Sequence, residues 1–129
     1  MYEYKIKEII KIVDGDTIDI LIDLGFGLTK KERVRLAGID TPESRTLDLE
    51  EKAMGLEAKE ALTKMLNSSE ELEVKTEKDG KFGRMLGWLW ADGDMTSLNH
   101  QLVNKGYAWA YDGGSKEKNL QDLRDKRNN

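Results

Sequence analysis

The sequence contains no cysteine and a single histidine among its 129 residues. The absence of cysteine excludes a thiol nucleophile, a cysteine-ligated zinc site and a disulfide framework. His100 stands in a predicted helix with no partner motif for a metal site or a triad. We therefore interpret His100 as a structural residue rather than a metal ligand or a member of a catalytic triad.

Long apolar runs are also missing. No stretch approaches the roughly 20 apolar residues of a membrane-spanning helix. The charged start, MYEYKIKE, lacks the long apolar core of a signal peptide. The sequence therefore predicts no membrane partner and a cytoplasmic location, and the alternative is a secreted protein whose signal peptide is not part of this sequence.

A basic excess, which tight non-specific nucleic-acid binders usually carry, is absent. The chain has 21 Lys and Arg residues against 25 Asp and Glu residues, a formal net charge of −4. This balance disfavours a pure binding module more than an enzyme, because a bound cation can supply positive charge at the site. The length fits a single domain over residues 1–129, and we expect a monomer because no long apolar edge is evident.

The apolar periodicity predicts strands first and helices later. Alternating apolar residues predict five strands, at residues 4–13, 17–24, 32–39, 72–76 and 85–91. Helical spacing predicts a helix over residues 51–67, whose apolar stripe consists of Leu56, Ala58, Leu62, Met65 and Leu66.

Two further helices are predicted near the end of the chain. One carries Leu98 and Leu102, with Asp94 as its N-cap and Gly106 at its C′ position, and the other covers residues 116–126. The order of three strands, helix, two strands and two helices predicts an α+β, mainly β, fold. We expect a five-stranded OB-fold Greek-key barrel with three helices.

The segment VDGDT at residues 13–17 is a candidate cation site or a plain turn. Asp-Gly between apolar runs is a strong hairpin signal, so the turn interpretation stands on its own. The functional interpretation places the carboxylate of Asp16 at the start of a strand, where a hard cation can bind it.

The segment VRLAGIDTPE at residues 34–43 offers further oxygen ligands. Asp40, the Thr41 carbonyl and Glu43 follow a strand, and Pro42 fixes the turn that aims them. Capping of a helix by Asp40 or Thr41 is the alternative, but little helical periodicity follows at once. Carboxylate and carbonyl oxygens are the ligands that Ca²⁺ prefers.

Two other segments have a structural and a functional interpretation. KFGR at residues 81–84 is either a basic loop or a phosphate clamp in which Arg84 makes bidentate bonds. GYAWAY at residues 106–111 either packs in the core or offers a stacking platform for a base. Trp88 and Trp90 share one face of a strand, which favours packing against a helix over base stacking.

Together these segments resemble the staphylococcal nuclease (thermonuclease) family. The resemblance extends from about Lys11 to Arg124, and an ADG at residues 91–93 adds to the four segments already named. It implies a calcium-dependent nuclease that cuts DNA and RNA, single strands preferred, on the 5′-oxygen side. The implied products carry a 3′-phosphate, and the implied base preference is small.

The resemblance also implies roles for individual residues. Asp16 and Asp40 correspond to the calcium carboxylates, with the Thr41 carbonyl as a third ligand. Glu43 corresponds to the residue that orients or deprotonates the attacking water. The two arginines that grip the scissile phosphate correspond to Arg35 and Arg84.

Lys81, Phe82 and Tyr111 correspond to substrate contacts, with two departures. Phe82 replaces the usual tyrosine of the family, which removes a hydroxyl from the phosphate pocket. Asp112 and two glycines follow Tyr111 where a second pocket aromatic is usual. The alternative to a nuclease is a catalytically inactive OB-fold module that binds single-stranded nucleic acid or a protein, although such a module has no physical reason to keep three acids beside an anionic ligand.

Overall fold

The computed structural model describes residues 2–79, 85–111 and 118–128. Within these residues the chain forms, in order, β1 (Tyr2–Asp14), β2 (Thr17–Gly25), β3 (Leu28–Leu36), β4 (Ile39–Asp40), α1 (Leu49–Asn67), β5 (Leu72–Asp79), β6 (Met85–Ala91), α2 (Leu98–Asn104), β7 (Trp109–Ala110) and α3 (Leu120–Arg127). No helix in the described part of the chain is long and apolar enough to cross a membrane.

Five of the strands close into a barrel in the order β1-β2-β3-β6-β5. Neighbouring strands run antiparallel, except that Val34–Leu36 of β3 pair in parallel with Met85–Gly87 of β6. The barrel closes where residues 2–5 of β1 pair with residues 73–76 of β5. This mixed barrel with three helices confirms the predicted OB-fold architecture.

The apolar alternation of the strands fills the barrel. Ile18, Ile20 and Ile22 of β2 are buried, and they pack with buried residues of the other strands. Leu62 of α1 and Leu102 of α2 belong to the same buried cluster, so both helices pack against the barrel core. The period-two pattern of the sequence therefore predicted the inward face correctly at Ile18, Ile20 and Ile22, but not at Leu24 of the same strand, which is 44% exposed.

The third strand was predicted over residues 32–39, which is wrong at both ends. The strand begins at Leu28 and ends at Leu36, and the chain then turns at Gly38, whose φ is +76°. A Cβ at Gly38 would lie 2.5 Å from the Trp88 ring, so both conformation and space require glycine here. After this turn the short strand β4 pairs with β7 in a separate two-stranded sheet, which the sequence analysis did not predict.

The helix boundaries also differ from the prediction. The first helix begins at Leu49 rather than residue 51, because the Asp48 carboxylate accepts hydrogen bonds from the backbone N–H groups of Glu50 and Glu51. Leu56 was assigned to the apolar stripe, but it is 48% exposed, and Met54 and Gly55 are buried instead.

Ser97, and not Asp94, caps α2, because the Ser97 hydroxyl accepts from the His100 N–H while Asp94 closes a turn onto the Ala91 carbonyl. Gly106 follows this helix with φ of +81°, which confirms its predicted C′ position. The third helix begins at Leu120 with Asn119 as its N-cap, and the predicted start at residue 116 lies outside the described residues.

Candidate active site

Asp16 lies in the turn between β1 and β2, at the rim of the barrel. The register of β2 and β3 places Thr17 opposite Arg35, and the Leu36 N–H donates to the Asp16 carbonyl over 2.8 Å. The Asp16 Oδ2 atom consequently lies 3.5 Å from Nη2 of Arg35. The two residues that the sequence analysis assigned to metal and phosphate are therefore neighbours.

Asp40 reaches the same arginine from the other direction. Its strand, β4, is held by pairing of Asp40 with Trp109, and the Tyr111 N–H donates to the Gly38 carbonyl over 2.8 Å. This arrangement places Asp40 Oδ1 3.5 Å from Nη2 of Arg35. One guanidinium nitrogen thus lies between the two predicted calcium carboxylates.

The backbone fixes the orientation of the Arg35 side chain. Its Nη1 donates to the Leu36 carbonyl over 2.8 Å, and its Nη2 donates to the Ile39 carbonyl over 2.9 Å. The side chain is largely buried. A guanidinium held in this way is a preorganised positive charge, which needs no reorganisation to meet an anion.

Thr41 completes the inner part of the site. Its backbone N–H donates to Asp16 Oδ2 over 3.4 Å, a long hydrogen bond. Its Oγ1 is buried and has no hydrogen-bond partner among the residues that the structure describes. An unpaired buried hydroxyl is costly unless a ligand or water satisfies it.

Burial raises the pKa of the Asp16 carboxyl above its usual value. The Arg35 guanidinium and the Thr17 hydroxyl lower this pKa, whereas the negative charges of Asp40 and Asp14 raise it further, and burial prevails. The site therefore holds more desolvated negative charge than Arg35 alone compensates.

These features fit a hard cation. The buried Asp16 carboxylate, the Asp40 carboxylate and the unpaired Thr41 hydroxyl offer oxygen donors of the kind that Ca²⁺ prefers. Within residues 2–79, 85–111 and 118–128, no three His, Cys, Asp or Glu side chains are grouped to hold a metal. A cation at this rim would therefore complete its coordination with backbone carbonyls and water.

Helix α1 supports the two acidic turns through close backbone contact. A Cβ at Gly55 would lie 2.6 Å from the Pro42 carbonyl oxygen, and one at Gly15 would lie 2.9 Å from Cβ of Ala58. The turns are also tied to each other, because the Ser44 hydroxyl donates to Asp14 Oδ1 over 2.9 Å. Small residues of the helix thus set the position of the site, a role that periodicity alone did not reveal.

Glu43 lies on the exposed side of this loop. Its backbone N–H donates to Oε2 of Glu51 over 3.0 Å. Glu51 follows the N-cap Asp48 by three residues, where a capping-box glutamate normally reaches back to the cap. Here the Glu51 carboxylate instead accepts from the Glu43 N–H and so fixes the loop that carries Glu43.

Asn99 and Lys118 are two site-related residues that the sequence analysis missed. The Asn99 side chain is fully buried, donates to the carbonyls of Ala37 and Gly87, and accepts from the Leu89 N–H, so it fixes the chain leading to β4. In the sequence, the only sign of this role is that Asn99 is a single polar residue next to the apolar positions of α2.

Lys118 forms an ion pair through Nζ with Oδ2 of Asp40 and lies 5.8 Å from the centre of the Tyr111 ring. The hydrogen bond to Asp40 raises the pKa of the Lys118 ammonium above its usual value, and the charge of Glu43 adds to the effect. No motif in the sequence pointed to this contact.

Three predicted residues, Lys81, Phe82 and Arg84, lie outside the described residues. Tyr111 is partly buried beside Lys118. His100 stacks on Trp88 with 5.1 Å between ring centres and pairs through Nδ1 with the Ser97 hydroxyl, which agrees with a structural role.

The barrel topology places this protein in the OB-fold class, and its rim presents a fixed positive charge beside paired carboxylates. The family described as staphylococcal nuclease homologue matches residues 33–129. The chain belongs to this family.

Individual relatives agree with this assignment. Protein ParB of Escherichia coli is 36% identical over 111 residues, which cover 81% of this chain and 56% of that protein. Micrococcal nuclease of Shigella flexneri is 35% identical over 111 residues, with 81% and 57% covered. Thermonuclease of Staphylococcus hyicus is 30% identical over 104 residues, with 80% and 57% covered. The chain spans little more than half the length of these curated relatives.

Proposed function

We propose that this protein is a calcium-dependent nuclease that hydrolyses phosphodiester bonds in DNA and RNA. The observation that supports this most directly is the Arg35 guanidinium, which backbone carbonyls hold between Asp16 and Asp40 at the barrel rim. Family membership and the names of two relatives, micrococcal nuclease and thermonuclease, point to the same chemistry.

Arg35 would bind the scissile phosphate. A phosphodiester is an anion, and further charge develops on its oxygens in the transition state. Because two carbonyls fix the Arg35 side chain, its remaining donors meet that charge without reorganisation. One such preorganised donor is typically worth about 3 kcal/mol of barrier or more. By family resemblance, Arg84 would grip the phosphate from a second side.

Asp16, Asp40 and the Thr41 carbonyl would hold the cation. When bound, Ca²⁺ supplies Lewis-acid charge that offsets the negative charge of the substrate and of the two carboxylates. The Thr41 hydroxyl supports a cation here, because it is buried with no hydrogen-bond partner among the described residues. The raised pKa of Asp16 supports it as well, because burial disfavours the Asp16 charge more than Arg35 and Thr17 favour it.

Glu43 would orient the attacking water and accept its proton. The exposed side of the loop leaves this carboxylate accessible, while Glu51 and the Gly55 contact fix the backbone that carries it. Attack then proceeds in line with the 5′-oxygen, leaving a 3′-phosphate. Such attack depends above all on positioning, which a fixed loop provides.

The test is digestion of single-stranded DNA and of RNA in Ca²⁺, in Mg²⁺ and in EDTA. The wild type should cut both polymers only in Ca²⁺, and the products should be substrates for a 3′-phosphatase. Glu43→Gln should lose at least about a hundredfold in rate, as removal of a general base does. Glu60→Gln is the matched control, because Glu60 is an exposed α1 residue paired only with Lys64 among the described residues.

A different result identifies the alternative. If the wild type binds single strands but cuts neither polymer in any of the three conditions, the nuclease proposal is wrong. The chain would then be an OB-fold binding module. Equal cutting by Glu43→Gln and wild type would remove Glu43 from the mechanism.

A further inference from the structure

Lys118 and Arg35 contact the same carboxylate through different oxygens. Lys118 Nζ pairs with Oδ2 of Asp40, and Arg35 Nη2 lies 3.5 Å from Oδ1. Both oxygens of this predicted calcium ligand therefore face a cationic nitrogen of the protein.

The chain around Lys118 is held in place by neighbouring elements. The Trp109 indole donates to the Asn119 carbonyl over 3.1 Å, and Trp109 pairs with Asp40 in the two-stranded sheet. Asn119 also caps α3, whose Leu123 is buried and whose Arg124 pairs with Glu50 of α1. These contacts fix the backbone next to Lys118, and this holds the Lys118 ammonium close to Asp40.

The two cations differ in how easily they can leave. Two backbone carbonyls hold the Arg35 guanidinium, and its side chain is only 16% exposed. The Lys118 side chain is 45% exposed and hangs on a flexible four-carbon stem. Lys118 can therefore rotate into solvent while Arg35 stays in place.

We propose that Lys118 is a tethered counter-ion of Asp40 that a divalent cation must displace before it can occupy the site. This inference rests on the proposed function, in which Asp40 is a calcium ligand. An ammonium donating to Oδ2 occupies one lone-pair position of that oxygen and holds a positive charge where a metal would bind, so the two compete for it. Lys118 thereby sets the Ca²⁺ concentration at which the site fills.

The test is calorimetric titration of the intact protein with CaCl₂ for wild type, Lys118→Met and Lys64→Met. Methionine keeps the apolar stem but removes the charge. Lys118→Met should bind Ca²⁺ more tightly, by a coupling on the order of tenfold. Lys64→Met should match the wild type, because Lys64 belongs to an exposed ion pair with Glu60 on α1.

Thermal unfolding in EDTA gives an independent readout. Lys118→Met should unfold at a lower temperature than the wild type in EDTA, because Asp40 loses a counter-ion, and the difference should shrink in saturating Ca²⁺. A merely structural role for Lys118 would produce the same deficit in both conditions. Lys118→Gln serves as the second variant if Lys118→Met does not fold.

Each outcome decides something different. If the wild type binds Ca²⁺ and both neutral variants bind it with the same affinity or more weakly, the counter-ion inference is overturned and the calcium site remains. If neither wild type nor variants bind Ca²⁺, the inference and the calcium dependence of the proposed function are both overturned.

Discussion

The Arg35 guanidinium lies 3.5 Å from the carboxylate of Asp16, and the two residues occupy the facing ends of β3 and the β1–β2 turn. Their separation follows from strand register, since Thr17 pairs with Arg35. The register of the barrel strands therefore places the proposed phosphate-binding arginine beside the proposed metal-binding carboxylate.

Arg35→Lys should lower kcat/KM on single-stranded DNA by about a hundredfold or more, because lysine keeps the charge but cannot bond two carbonyls and a phosphate in one plane. Steady-state kinetics measures the loss. Arg33→Lys is the matched control on the same strand, since Arg33 pairs with Asp19. An equal loss in both variants would show that strand stability, and not phosphate binding, is responsible.

Asp16→Asn should stabilise the protein in EDTA by about 1 kcal/mol near neutral pH, because it removes a desolvated charge at a functional site. Since the folded pKa of Asp16 is raised above 3.8, wild-type stability falls as pH rises from 3.8 through that folded pKa. The difference in unfolding free energy between Asp16→Asn and the wild type should therefore grow as pH rises from 3.8 through the folded pKa, and stay constant above it. Chemical denaturation at several pH values measures it, and a constant difference would refute the electrostatic cause.

Asp19→Asn should show the opposite pH dependence. Hydrogen bonds from Arg33 hold the pKa of the Asp19 carboxyl below its usual 3.8. The stability from this pair is present above pH 3.8 and is lost as pH falls through the folded pKa. The variant should therefore be less stable than the wild type at pH 7 and indistinguishable below the folded pKa, as followed by thermal unfolding. A deficit that persists in acid would indicate a packing defect.

Gly55→Ala should destabilise the protein by about 1–3 kcal/mol through overpacking. Helix propensity alone predicts the opposite, a gain of about 1 kcal/mol, so the sign of the change is decisive. The added Cβ would lie 2.6 Å from the Pro42 carbonyl and displace the loop of Glu43, so cleavage should fall further than stability explains. Leu56→Ala, next along the helix and about half exposed, is the control.

The sequence predicted the barrel strands because alternating apolar residues, such as Ile18, Ile20 and Ile22, face a closed interior. From the residues alone, Asp16 and Asp40 were separate cation-ligand candidates at two turns, and only the family resemblance implied that Arg35 belongs to the same site. Strands β4 and β7 escaped prediction since two residues are too short to show alternation.

Other features depend on contacts between distant segments. Gly55 was not recognised because its role is to approach a loop backbone closely, which helical periodicity does not encode. Lys118 was not recognised because its contact with Asp40 arises only when α3 and β7 are in place. The start of α1 could have been predicted, since Asp48 followed three residues later by Glu51 is a capping pattern. Leu47 and Leu49 flank this cap but are exposed, so apolar periodicity does not mark where the helix begins.

The most direct measurement is the rate of cleavage of a defined single-stranded DNA as free Ca²⁺ is varied, with wild type and Asp40→Asn compared. The rate should rise from zero in EDTA to a plateau for the wild type, and Asp40→Asn should need far more Ca²⁺ and reach a lower plateau. Cleavage that is insensitive to EDTA, or absent at every Ca²⁺ concentration despite DNA binding, would contradict a calcium-dependent nuclease.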